Sequence, residues 1–296
     1  METTKSTLYK LVSRVKDNRF DVDKLHDYCL LLQIGIRDIQ VCVTDSKDNS
    51  CLLVEDFLLL EIKTVNARLK ALANLFENHH LLKAGFWKSV KLSLKSHKFS
   101  LVPSSHFIPD SIGEYLKLNC VVNPNVEGEY YYQHKSSNVV NAFAADKRLV
   151  SWVESLYPAI DVTVMHQGSS LIEAILRQKG ATEGKNVYCI LDRNVLHVFV
   201  SQSSQLYYYN QFSIKSSKEL LKYTMLVFKE FELDQRTQPV VFWGSLSEKG
   251  ESLALLRKYI RNVNLGKKPG FLRFNYMFDE IPDHHHIDLF SMHLCD

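Results

Sequence analysis

A chain of 296 residues that is 46% hydrophobic can bury a large core and is long enough for two domains of ordinary size. Its 36 basic and 33 acidic residues are spread along the whole length. They leave a formal charge of +3 without the basic block of a nucleic-acid tail, so charge implies neither an acidic nor a basic partner.

Residues 1–20 carry Lys5, Lys10, Arg14, Lys16 and Arg19 but no continuous apolar stretch, which predicts neither a signal peptide nor a membrane anchor. The apolar run at residues 28–36 is broken by Gln33 and is about half of the roughly 20 residues a bilayer span needs. Within it Leu30, Leu32 and Ile34 alternate with neighbours on the opposite face. Residues 35–38 read as a turn, and Ile39, Val41 and Val43 resume the alternation, so the pair is a hairpin. The polar run DSKDNS, residues 45–50, is a second turn, and residues 52–62 a third strand. Val65, Leu69, Leu72 and Phe76 repeat at helical spacing over residues 64–78, and residues 90–94 return to a strand.

Residues 119–137, with Asn, Pro and Gly ahead of EYYYQHK, read as an insertion or an added edge strand. Strand, helix, strand and helix follow at residues 139–145, 146–157, 162–165 and 169–178, an alternation that predicts a parallel portion of sheet. Ser170 and Glu173 have capping-box spacing at the last of these helices. The polar stretch 178–186 is the expected connection between domains.

Beyond it the first pattern recurs. Residues 187–191, 195–200 and 206–214 are strands with turns at Asp192-Arg193-Asn194 and SQSSQ. Ser216 and Glu219 cap a helix whose Leu220, Val227 and Phe231 share a face, and residues 240–243 make the next strand. A unit of three strands, a helix and a strand is thus present twice, at residues 29–94 and 187–243. The expected domains are residues 1–181, with the insertion near 119–137, and residues 182–296, with a C-terminal tail.

This duplicated order resembles the outline of actin-like, sugar-kinase-like and Hsp70-like ATPases. Specific runs carry a closer resemblance. They are Leu32-Gln33-Ile34-Gly35-Ile36 with Val41-Cys42-Val43, Leu101-Val102-Pro103, Asn138-Val139-Val140-Asn141, His166-Gln167-Gly168-Ser169-Ser170, LYYYNQF at residues 206–212 and Asp288-Leu289-Phe290. On these the chain resembles an uncharacterised bacterial family, domain of unknown function 3822, grouped with the actin-like ATPase superfamily. The resemblance implies an α/β protein with a duplicated actin-like (ribonuclease H-like) ATPase fold, each of its two domains a mixed sheet flanked by helices.

The resemblance also implies where a nucleotide would sit. In actin-like ATPases the first turn offers backbone N–H groups to a phosphate, and an Asp ahead of its Gly holds hydrated magnesium. Here Gly35 and Arg37 occupy that turn, and neutral Gln33 cannot replace a carboxylate toward a hard cation. The second phosphate turn corresponds to Asp192 and Asn194, and the adenosine loop keeps the single Gly244 beside Trp243. Turn chemistry in a beta-rich protein explains Gly35, Asp192 and Gly244 equally well. The expected reading is a non-catalytic actin-like protein with a degenerate nucleotide cleft that binds another protein. No catalytic residue and no cofactor are nominated. The alternative is an ATP-binding phosphotransferase or ATPase with an altered phosphate and metal site.

Three further patterns are set aside. His284, His285, His286, His293 and Cys295 have metal-ligand residue types, and in a strand His284 and His286 would share a face, but no second cluster of comparable spacing exists and no metal is expected. The triplets at residues 130–132 and 207–209 could stack bases, yet aromatics are ordinary strand formers and the charge footprint is missing, so no nucleic acid is expected. The six cysteines form no CxxC pair and mostly lie in apolar runs, which suits a reducing cytoplasm.

Overall fold

The computed structural model describes residues 8–135, 137–178, 180 and 184–295. The chain divides into two compact units. The first comprises residues up to Ser170 with Gly270–Glu280 and the segment from Met292; the second comprises Leu171–Pro269 with Ile281–Ser291.

In the first unit, β1 (Tyr9–Lys16), β2 (Tyr28–Ile34), β3 (Asp38–Asp45) and β4 (Cys51–Leu59) precede helix α1 (Val65–Asn78) and β5 (Ser89–Leu94). Next come β6 (Phe99–Pro103), α2 (Ile112–Lys117), β7 (Glu127–Gln133), β8 (Val139–Asp146), α3 (Lys147–Leu156) and β9 (Thr163–His166). Six strands form one mixed sheet in the order β1-β4-β3-β2-β5-β9, and β6-β8-β7 form a second, antiparallel sheet. The run 119–137 therefore contributes β7 as the outer strand of the smaller sheet.

Hairpin alternation is weaker here than a half-exposed sheet would show, because every residue of β2 is buried. Both faces of the large sheet are covered. On one side α1 buries Ala71, Leu72, Leu75 and Phe76, while Val65, expected on that face, is exposed. On the other, the C-terminal segment lies against β2, β3 and β5: Lys91 Nζ donates to the carbonyls of His293 and Cys295, and Thr44 Oγ1 meets His293 Nδ1 at 3.1 Å. This lysine, 6% exposed, thus has carbonyls of the C-terminal segment as hydrogen-bond acceptors for its buried ammonium.

Helix α4 (Gln167–Leu176) leads into the second unit, which holds β10 (Asn186–Asp192), β11 (Val195–Gln202), β12 (Gln205–Ser213), α5 (Ser217–Glu230), β13 (Pro239–Gly244), α6 (Glu251–Tyr259), β14 (Asn262–Leu265) and α7 (Ile287–Ser291). Its sheet runs β12-β11-β10-β13-β14. The first three strands pair antiparallel, and β10-β13-β14 are parallel, as are β2-β5-β9. Val187, Cys189, Val198, Leu220, Val227, Phe228 and Phe242 lie in one buried cluster between this sheet and its helices. Ser216 caps α5 through Oγ, and Glu219 reaches back to the N–H of Lys215.

The capping box expected at Ser170 and Glu173 is not formed. The helix starts three residues earlier, at Gln167, so Ser170 lies inside it and donates to the carbonyl of Gln167. The His166 ring takes the capping role, since Nδ1 accepts the N–H of Gly168 at 3.0 Å while Nε2 donates to the carbonyl of Ser96 at 2.8 Å. That arrangement fixes a neutral imidazole protonated on Nε2. Among the described residues no helix is long and apolar enough to cross a membrane.

Candidate functional site

The hairpin turn of the first unit closes where the Gly35 N–H donates to the carbonyl of Asp38 at 2.9 Å, leaving Ile36 and Arg37 exposed at the tip. A Cβ on Gly35 would lie 2.3 Å from Asp38 Oδ1, so glycine there makes room for the aspartate side chain. That carboxylate is 5% exposed and is held by Lys95, the residue after β5, whose Nζ donates to Oδ2 at 2.6 Å. The parallel pairing of β2 with β5 brings the two together, Ile34 standing opposite Leu94.

Gln33 does not face this turn as a ligand. It is fully buried on the sheet, opposite Gln40 and Ser93 in register, and its Nε2 donates to Gln40 Oε1 at 2.9 Å. Ser93 Oγ and Asp56 Oδ2 extend the chain of amides through longer contacts of 3.4 and 3.5 Å. The position of a magnesium-holding carboxylate in actin-like ATPases thus carries here an amide committed to its neighbours. The carboxylate missed in the sequence is Asp38, five residues later and already ion-paired.

In the second unit Asp192 and Val195 close a turn whose tip is Arg193 and Asn194, with Arg193 at φ +53°. Register aligns the two repeats. Leu191 stands opposite Gly244 as Ile34 stands opposite Leu94, which makes Asp192 the counterpart of Gly35 and Ile190 the counterpart of Gln33. Asp192 and Asn194 share this turn, and Gly244 lies beside it at the end of β13. Its φ of +96° and a hypothetical Cβ only 2.0 Å from the Leu191 carbonyl oxygen leave no residue but glycine at that point. Its N–H donates to the His284 carbonyl at 2.6 Å, and the next N–H, of Ser245, donates to the Leu191 carbonyl at 2.7 Å. Trp243 packs on the backbone at Gly266, where a Cβ would meet the indole at 1.9 Å, and its Nε1 donates to the Lys267 carbonyl.

The other constellations resolve into packing. Residues 282–286 form a turn rather than a strand: His284 is buried and donates Nε2 to the Leu246 carbonyl at 2.7 Å, and His286 has φ +57°. Burial, with the neighbouring His284 and His286, lowers the His285 imidazole to about 4. Among the described residues no group of three or more His, Cys, Asp or Glu is placed to hold a metal ion. Exposure is uneven within each tyrosine triplet, Tyr132 and Tyr209 being buried and Tyr131 and Tyr207 exposed, so neither forms a continuous stacking platform. Glu55, invisible as special in the sequence, is fully buried and receives hydrogen bonds from Arg14 Nε at 2.5 Å and His79 Nε2 at 2.8 Å. Burial alone would raise its carboxyl, but the hydrogen bond and charge of His79 with the Arg14 guanidinium hold it below its ordinary 4.5.

Known proteins place this geometry in a fold. The family described as "Protein of unknown function (DUF3822)" matches residues 17–263. A Bacteroides thetaiotaomicron protein with actin-like ATPase fold and unknown function superposes with a TM-score of 0.79 at 19% identity, covering 94% of this chain and 99% of that one. The PilM-PilN type IV pilus biogenesis complex gives a chain at TM-score 0.56 and 13% identity, covering 90% and 97%. No protein of curated function matches in sequence. The fold is the duplicated actin-like ATPase fold, as the repeated unit implied.

Proposed function

Since this chain belongs to the DUF3822 family and has the actin-like ATPase fold, we propose that it is a non-catalytic member of that fold which works by binding another protein. The observation that carries this reading is the chemistry of the first turn. A hydrated magnesium ion needs free carboxylate oxygens. Gln33 offers an amide that is spent on Gln40, and Asp38 is spent on the Lys95 ammonium at 2.6 Å. Gly244 gives no support to an adenosine loop of its own, because its conformation and the Leu191 carbonyl already require it. The similar PilM-PilN structure is a protein complex, which makes partner binding a use to which this fold is put. All six cysteines are free, five of them buried, in keeping with a reducing cytoplasm. A phosphotransferase would have to draw its carboxylate from Asp192 instead.

Affinity purification of the full chain from its native cells, after cross-linking and with mass spectrometry as readout, tests this reading. A single protein recovered at near-equal stoichiometry and displaced by excess untagged chain is the expected result. Recovery of no such partner, together with tight retention of a small molecule, would overturn it.

A further inference from the structure

Among the described residues the three sheets end in β1 and β9, in β6 and β7, and in β12 and β14. Such edges can pair with another chain, and proteins guard them with charge, proline or brevity. Strand β1 carries Lys10, Arg14 and Lys16, and β7 carries Glu127 and Glu129. Strand β6 ends in Pro103, while β9 and β14 are four residues long. The edge at β12 has none of these guards. It runs for nine residues, QLYYYNQFS, without a charged residue or a proline.

The strand is also held in place. Tyr208 lies edge-on to Phe231 at 5.6 Å and Phe212 stacks on Tyr223 of α5 at 4.6 Å, so the edge is ordered before any partner arrives. The Ile214 N–H donates to the Asn194 carbonyl at 2.8 Å. Alternation along the antiparallel ladder then turns the backbone groups of Phe212, Asn210 and Tyr208 toward β11 and those of Gln211 and Ser213 outward. The Gln211 N–H is met there by Asn210 Oδ1 at 2.8 Å, a local acceptor where a strand would offer a carbonyl. A bulge at Tyr207 leaves residues 208–213 as the regular stretch.

Charge selects the occupant. A strand paired antiparallel with its own copy across a two-fold axis brings like residues together, so charges of one sign would face each other. That rule bars β1, with three basic residues, and β7, with two acidic ones, and it admits β12. Such pairing also keeps both copies of α5 on one face of the joined sheet. Leu226, three residues along α5 from Tyr223, is 48% exposed and offers the second helix an apolar surface. We propose that β12 is a self-association edge: two copies of the chain pair β12 antiparallel about a two-fold axis near Gln211 and join their five-stranded sheets into one. This goes beyond the binding of a different protein, and either can fail alone.

The test is sedimentation equilibrium of the full chain, taken up to roughly 200 μM because a contact of one strand is weak. A monomer–dimer equilibrium is expected, with amide hydrogen exchange at Gln211 and Ser213 slowing as concentration rises. Gln211→Lys and Gln211→Glu should each weaken the dimer at least tenfold, and an equimolar mixture of the two should restore it as a heterodimer. Gln211→Pro removes an N–H that the ladder with β11 does not use, and should give a monomer that melts within about 3 °C of the parent chain at low concentration. A monomer at every concentration, a dimer indifferent to charge at position 211, variants that the mixture does not restore, or protection confined to another edge would each overturn the inference. So would a β12 that pairs with a strand of a different protein while the chain alone stays monomeric.

Discussion

The two hairpin turns can be compared position by position, because the ladders around them share one register: Ile34 with Leu94 in the first repeat, Leu191 with Gly244 in the second. The same crossing of backbones is stabilised in two ways. In the first repeat a side-chain ion pair, Asp38 with Lys95, ties the hairpin to the next parallel strand. In the second the counterparts are Val195 and Ser245, and the tie is backbone alone, with Gly244 at φ +96° letting the Ser245 N–H reach the Leu191 carbonyl. Both repeats keep a glycine near a turn, for unlike reasons. Gly35 yields space to a side chain that can move, and Gly244 yields space to a carbonyl that cannot.

The largest expected effect separates these glycines. Gly244→Ala combines a left-handed φ with a 2.0 Å backbone clash and should cost about 3–5 kcal/mol in urea unfolding. Gly35→Ala, whose added methyl meets the Asp38 carboxylate, should cost about 1–2 kcal/mol. An equal or reversed order would break the comparison. Next comes the ion pair. Lys95→Met takes the ammonium at 2.6 Å away from a buried carboxylate and should cost about 2–4 kcal/mol, most of it recovered in the double variant with Asp38→Asn. Ser245→Ala at the counterpart position should stay within about 0.5 kcal/mol.

The repeats should also part in their response to acid. The Glu55 carboxyl in the first unit is held below 4.5, so the folded state keeps its charge longer than the unfolded one. Its contribution to stability is complete above pH 4.5 and is lost as pH falls through the lower folded value. Glu55→Gln should flatten that part of the acid limb. His285 in the second unit is lowered from 6.5 to about 4, so between those values the unfolded state binds the proton first and stability falls as pH falls from 6.5 toward 4. A proton-NMR titration of the His285 ring should show its midpoint near 4, and a midpoint near 6.5 would remove this difference between the units.

Much of this architecture was legible because it rests on local signals. Alternating β-branched and leucine runs, the DSKDNS turn and the hydroxyl cap Ser216 announce the elements themselves. What was not legible depends on contacts that periodicity does not encode. Strand β1 is exposed over most of its length, so its Lys10, Arg14 and Lys16 read as a polar N-terminal stretch rather than as a sheet edge. The start of α4 is set by an imidazole, where a hydroxyl cap at Ser170 matched the spacing. In the candidate site, Gly35, Asp192 and Gly244 were visible as turn residues. The Asp38 and Lys95 pair was not, because 57 residues separate two groups that only the parallel pairing of β2 and β5 brings together. Glu55 escaped notice for the same reason, since Arg14 and His79 reach it from different elements.

The central claim, that this actin-like fold works without a nucleotide, is tested most directly by isothermal titration of Mg-ATP into the full chain. The chemistry of the two turns predicts no saturable heat up to millimolar nucleotide. Saturable binding in the micromolar range that disappears in Asp192→Ala would contradict it.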